Sequence, residues 1–139
     1  MSFRASPSCY LAIPSDAQFA PVREAVLDAL RELEVEPLEE SDLSKPSSPR
    51  ETLERADFVI ADVTGSSRSV LYELGAANAL RKPVLIFSQE HSEVPPELGK
   101  MQVIVYSLQQ ISELKDYVTY WIKTTLRVQR SRYVPVVNM

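Results

Sequence analysis

The chain has 139 residues, 45% hydrophobic and 24% charged, with a formal net charge of −4. That is the make-up of one soluble globular domain, expected to span 1–139, and the acidic balance without a basic stripe argues against polymeric nucleic acid as a partner. One Cys, one His and three Gly exclude an internal disulfide framework, a cysteine-rich or H-E-x-x-H zinc site, a P-loop and a G-x-G-x-x-G fingerprint.

Catalysis would then fall to carboxylates, hydroxyls, tyrosines and backbone amides, or to His91 as the base of a Ser-His-Asp triad. His91 lies in a polar loop and reads as exposed and inert. No apolar signal region follows Met1–Ala5, and no window reaches a membrane span. A reduced, cytoplasmic setting without a membrane partner is the expectation, and the lone Cys9 reads as a small core residue.

Cys9–Pro14 is a short apolar run closed by proline, a buried first strand. Asp16 offers an N-cap to the following helix, and Pro21 suits its first turn. Val22, Val26, Ala29, Leu30 and Leu33 recur at helical spacing, with Arg23, Glu24, Arg31 and Glu32 on the other face. Val35–Leu38 reads as an edge strand, because Pro37 cannot donate to a central ladder. Ser41–Pro49 is a polar loop and Arg50–Ala56 a short helix.

Asp57–Asp62 is the strongest strand, apolar on both faces and therefore central and parallel. A polar turn, Val63–Ser69, leads into the helix Val70–Leu80, rich in small residues. Gly75 and Ala76 there suggest close approach of helix and strand. Pro83–Phe87 is a further buried strand, Gln89–Lys100 a loop and Gln102–Tyr106 the fifth strand. Ile111, Leu114, Val118, Trp121, Ile122 and Leu126 mark a closing helix, and 131–139 reads as an apolar tail. Strands alternating with helices give a flavodoxin-like or Rossmann-like doubly wound α/β fold, with five parallel strands in the order 2-1-3-4-5.

In such sheets ligands bind beyond the carboxyl ends of the strands, where the strand order reverses. That crevice lies between strands 1 and 3. Pro14, Ser15 and Asp16 follow the first strand, and Asp62, Thr64, Gly65, Ser67, Arg68 and Ser69 follow the third. Gly65 permits a backbone conformation, or an approach, that a Cβ would block. With Ser69 as cap, Glu73 ends the first helical turn, where the dipole favours its ionised form. An ionised carboxylate beside a sugar suits nucleophilic glycosyl chemistry. Each group also has an ordinary role: Asp62 and the serines as turn and cap residues, Arg68 as a solvated charge, Tyr72 packed on the sheet.

The run Ala56–Gly65 (ADFVIADVTG) followed by Val70–Val84 (VLYELGAANALRKPV) resembles the nucleoside 2-deoxyribosyltransferase-like superfamily and the related bacterial TIR-like domains. The likeness is strong over 56–87 and reaches the first strand and closing helix only as pattern. It implies that Glu73 of the E-L-G motif is the catalytic carboxylate. It further implies that Asp62 and Thr64 of the D-x-T-G turn line the sugar pocket and that Tyr72 is the tyrosine before the catalytic Glu; Gly65, Ser67, Ser69, Pro14, Ser15 and Asp16 join the expected substrate-binding set from the crevice itself. Two positions depart from the pattern. Ser67–Arg68–Ser69 stands where TIR-like members carry N-P-N, and Ser15 where an aromatic is usual, so base stacking would fall to Tyr10 or Phe19.

The reading is an enzyme acting at an N-glycosidic bond, with a nucleoside, nucleotide or NAD as ligand and neither metal nor redox cofactor required. A TIR-like NAD glycohydrolase, a nucleotide-binding assembly module and a scaffold with a vestigial site are the alternatives. A homo-oligomer is expected, with the small-residue helix and the apolar tail as its interface.

Overall fold

A computed structural model describes residues 6–39, 49–90, 94–98 and 101–133, with side chains described as far as residue 128. Five parallel strands, β1 (Ser8–Ala12), β2 (Glu36–Leu38), β3 (Phe58–Asp62), β4 (Val84–Ser88) and β5 (Gln102–Val105), lie in the order β2-β1-β3-β4-β5. Four α-helices cover them: α1 (Ala20–Glu32), α2 (Pro49–Arg55), α3 (Arg68–Ala79) and α4 (Ile111–Tyr133). This is the doubly wound Rossmann-like arrangement expected from the alternating pattern. Residue by residue, β3 matches Tyr10 to Val59 on one side and Ile60 to Leu85 on the other.

Side chains alternate across a strand, so each strand feeds both layers. On one face Cys9, Leu11, Phe58, Ile60, Leu85 and Phe87 pack under α1 and α4. Trp121 of α4 meets the Phe58 ring edge-on, with centroids 5.6 Å apart. On the other face Tyr10, Ala12, Val59, Ala61, Val84 and Ile86 pack under α2 and α3. Both faces of β1, β3 and β4 are thus sealed, which is why these strands read as continuous apolar runs. The β4–β5 connection contributes Val94, Leu98 and Met101 to the second layer.

Several boundaries differ from the sequence expectation. Asp16 does not cap α1. A single 3₁₀ turn, Ala17–Phe19, intervenes, and Asp16 supplies only its backbone carbonyl, to the Phe19 amide at 2.9 Å. Both α1 and α3 end in a Schellman motif. The amide of Val35 reaches the Leu30 carbonyl at 2.9 Å, and that of Lys82 the Ala77 carbonyl at 3.1 Å. The left-handed positions are Glu34 (φ 57°) and Arg81 (φ 58°), where glycine would be the usual signal. Residues 131–133, expected to open the tail, continue α4. The rest of that tail, His91 and most of the Ser41–Pro49 loop lie outside the described residues.

Gly75 is exposed, and a Cβ there would meet nothing within 4 Å, so it does not serve close helix–strand packing. Among the described residues no helix is long and apolar enough to cross a membrane.

Candidate functional site

The strand order reverses between β1 and β3, whose crossovers run to opposite faces of the sheet. A cleft of about 720 Å³ opens beside β1 and the start of α3. Leu11 and Ile13 of β1 and its extension form an apolar wall, continued by Pro14, Ser15 and Asp16. The facing wall is the first two turns of α3: Ser67, Arg68 and Ser69, then Tyr72 and Glu73.

Glu73 is half-buried, and its carboxylate Oε2 accepts a hydrogen bond from the Tyr10 hydroxyl. Tyr10 is fully buried within β1, on the face that packs against α3. Its ring therefore belongs to the core while its hydroxyl reaches the cleft wall. A base-stacking role for Tyr10 is ruled out by that burial. Phe19, only 2% exposed in the opposite layer, is ruled out for the same reason.

The helix start also changes the electrostatics around Glu73. Ser67, not Ser69, occupies the N-cap position, without a side-chain capping bond. Its carbonyl accepts the Leu71 amide at 3.0 Å. Glu73 is then the sixth helical residue, beyond the first turn, where the dipole has faded. The Tyr10 hydroxyl is a direct partner of its carboxylate. Ser69 stands four residues before Glu73 on the same face, about 6 Å along the axis. The backbone N–H groups of that first turn and the Arg68 guanidinium give this end of the cleft a positive character. Tyr72 is 63% exposed at the mouth and does not pack on the sheet.

Arg23 contributes to the cleft in a way the amphipathic pattern of α1 did not reveal. Its Nη2 donates to the carbonyls of Ile13 (2.8 Å) and Pro14 (3.3 Å), and its Nη1 pairs with Glu39. One side chain thus ties α1 to the loop after β1 and to the exit of β2. The pair is only partly exposed, so it holds these walls more firmly than a surface ion pair would.

Asp62, Thr64 and Gly65 are not brought to the cleft. Asp62 has no exposed surface. Its Oδ1 accepts the Thr64 amide at 2.9 Å and its Oδ2 the Tyr106 hydroxyl at 2.5 Å. Thr64 Oγ1 accepts the Gln89 amide at 2.9 Å. Burial, then the hydrogen bond and negative charge of Asp62, push the Tyr106 hydroxyl well above the usual tyrosine range. Gly65 (φ 81°) is there for its backbone conformation, since a Cβ would meet nothing within 4 Å. The Cys9 thiol is also raised by burial, as befits a packed core residue. Among the described residues no group of three His, Cys, Asp or Glu side chains converges as a metal site.

The fold and the cleft define a five-stranded Rossmann-like protein with a carboxylate-bearing cleft at its switch point. No family model and no curated protein matches the chain. Solved structures do. A diflavin flavoprotein from Nostoc sp. aligns with TM-score 0.64 and 13% identity, over 94% of this chain and all of that one. A 2-deoxyribosyltransferase from Bacillus psychrosaccharolyticus aligns with TM-score 0.57 and 19% identity, over 76% of this chain and 90% of that one. A CMP N-glycosidase from Clostridium botulinum aligns with TM-score 0.58 and 18% identity, over 79% and 98%. At these identities the likeness is one of fold. It includes the nucleoside 2-deoxyribosyltransferase-like fold that the ADFVIADVTG and YELG segments resemble.

Proposed function

We propose that this protein is an enzyme that breaks or exchanges the N-glycosidic bond of a nucleoside or nucleotide, with Glu73 as the carboxylate that meets the anomeric carbon. The observation that carries the reading is the Glu73 carboxylate, held by the buried Tyr10 hydroxyl, in the wall of the switch-point cleft. Two solved proteins of this fold are by name a deoxyribosyltransferase and an N-glycosidase.

The chemistry follows from the groups present. As the C1′–N bond lengthens, its electron pair goes to the leaving base and positive charge grows on the sugar. Glu73 stabilises that charge and closes on C1′, forming a glycosyl ester. Water or a second base then attacks C1′ and releases the carboxylate, and the proton it sheds balances the one that the departing base takes up. Tyr10 fixes the rotation of the carboxylate, so the attack begins from one geometry. Pro14, Ser15, Asp16, Ser67, Ser69 and Tyr72 surround the substrate, and neither metal nor redox cofactor enters this sequence.

A phosphorylated substrate is favoured over a free nucleoside. The first turn of α3 offers backbone N–H groups, serine hydroxyls and Arg68, which makes no ion pair among the described residues. Its spacing of one helical turn from Glu73 matches the reach from C1′ to a 5′-phosphate. The test is a panel of nucleosides, nucleoside 5′-monophosphates and NAD, each with and without a second free base, with products separated by chromatography. Release of free base, highest from monophosphates and reduced for them alone by Arg68→Ala, supports the reading. Release of nicotinamide alone would favour the NAD glycohydrolase alternative. Saturable nucleotide binding without any product would favour the binding module. A homo-oligomer built on the C-terminal tail is also part of the proposal. Truncation after Tyr133 followed by size-exclusion chromatography tests it, an unchanged oligomer speaking against it.

A further inference from the structure

Four residues at the carboxyl ends of β3, β4 and β5 close a ring of hydrogen bonds that contributes nothing to the cleft lining. Asp62 of β3 accepts from the Tyr106 hydroxyl at 2.5 Å and from the Thr64 amide at 2.9 Å. Thr64 accepts from the Gln89 amide at 2.9 Å, and Gln89 Nε2 donates to the Tyr106 oxygen at 3.3 Å. Among the described residues, no buried side-chain polar atom is left without a partner.

The turn held by this ring is one that the chain would not adopt for nothing. Gly65 (φ 81°) and Ser66 (φ 52°) are consecutive left-handed residues. Glycine takes that conformation freely, but a serine Cβ is crowded there. Such a residue persists only where its surroundings over-determine it. Directly after it comes Ser67, which is both the N-cap of α3 and part of the cleft wall.

We infer that Tyr106 is a positioning residue for the cleft: through Asp62 and Thr64 it holds the Gly65–Ser66 turn left-handed and so sets where α3, and with it Glu73, begins. The kinetic part of this inference rests on the proposed glycosidic reaction; the structural part does not. Tyr106 is suited to the task because its ring is fixed separately, edge-on to Phe87 with centroids 6.0 Å apart. Tyr106→Phe therefore removes the hydroxyl and keeps the packing.

The experiment compares wild type, Tyr106→Phe and the double variant Tyr106→Phe/Ser66→Gly by amide hydrogen exchange and by base-release kinetics. In Tyr106→Phe the hydrogen-bonded amides of Thr64, Ser66 and Leu71 should exchange about tenfold faster, the size that one net hydrogen bond gives. Those of β1 and α1 should not change. The rate constant for base release should fall about tenfold or more, with KM changing less. Ser66→Gly removes the crowded Cβ and should restore both readouts toward wild type. Faster exchange spread evenly over β1 and α1, or no rescue by Ser66→Gly, would overturn the inference. If the wild type releases no base, the proposed reaction fails, yet the exchange arm still decides whether Tyr106 holds the turn.

Discussion

On the β1 side of the sheet's carboxyl edge, Tyr10, Arg23 and Glu73 turn polar groups to the wall of an open cleft. On the β5 side, Asp62, Thr64, Gln89 and Tyr106 direct theirs to one another in a sealed ring. The second is built from strand ends, whereas the first joins a side chain from the middle of β1 to one from α1 and one from α3. The difference lies in what sits over them. The first is flanked by the divergence of the α1 and α3 crossovers, which leaves a crevice; the second is closed by the aromatic end of β5. A carboxylate lines open space in the first and is a structural bolt in the second. Substitutions should separate the two regions by readout: stability for the ring, turnover for the cleft.

The largest effect on stability should come from Asp62→Ala. It leaves the Tyr106 hydroxyl and the Thr64 amide without their partner in a buried place, at a cost of about 3 kcal/mol. Urea denaturation should show that loss, and a change under about 0.5 kcal/mol would mean the ring is incidental. On the cleft side, Tyr10→Phe should lower base release about tenfold to a hundredfold through the loss of one donor to Glu73. Its unfolding free energy should fall by only about 1 kcal/mol. A loss of stability as large as that of Asp62→Ala would erase the distinction between the regions.

How far these two regions could be foreseen depends on how local their signals are. The apolar runs of β1, β3 and β4, the proline of β2 and the helical spacing of α1 lie within short windows, and the 2-1-3-4-5 order follows from them. Glu73 and the loop after β1 were expected at the crevice, and they line it, because the strand order reverses there. Tyr10 was singled out only as a stacking ring, and its hydroxyl bond to Glu73 was not foreseen. Only the pairing of β1 beneath α3 sets its hydroxyl against Glu73. Asp62 was misplaced because its partner, Tyr106, is 44 residues away. Arg23 sits on the polar side of α1, where charge ordinarily means solvent. The ends of α1 and α3 were blurred because Glu34 and Arg81 stand where glycine would mark the stop.

Alkaline titration sharpens the comparison further. Tyr106 titrates well above its ordinary value of 10.0 in the folded chain, first through burial and then through Asp62. A raised folded pKa means the unfolded state loses this proton first. The stability it contributes is therefore complete below about pH 10 and declines above that. The difference in unfolding free energy between wild type and Tyr106→Phe should shrink as pH rises from 9 through 11. A difference that stays flat across that range would contradict the arrangement.

The smallest effect belongs to neither region. Arg81→Gly, at the left-handed end of α3, should stabilise the chain by at most about 1 kcal/mol and leave turnover unchanged. Thermal unfolding checks the first part and base release the second. A change in turnover would show that the far end of α3 also matters to the cleft.

The central claim is that Glu73 performs the chemistry and does not merely support the fold. The direct test is the base-release rate of Glu73→Gln on the best substrate of the panel, with its thermal unfolding measured alongside. Glutamine keeps the volume and can still accept from Tyr10, but it cannot act as an anionic nucleophile. The account predicts a rate at least about a thousandfold lower, with a melting temperature close to that of the wild type. Base release within about tenfold of wild type from the folded variant would contradict it.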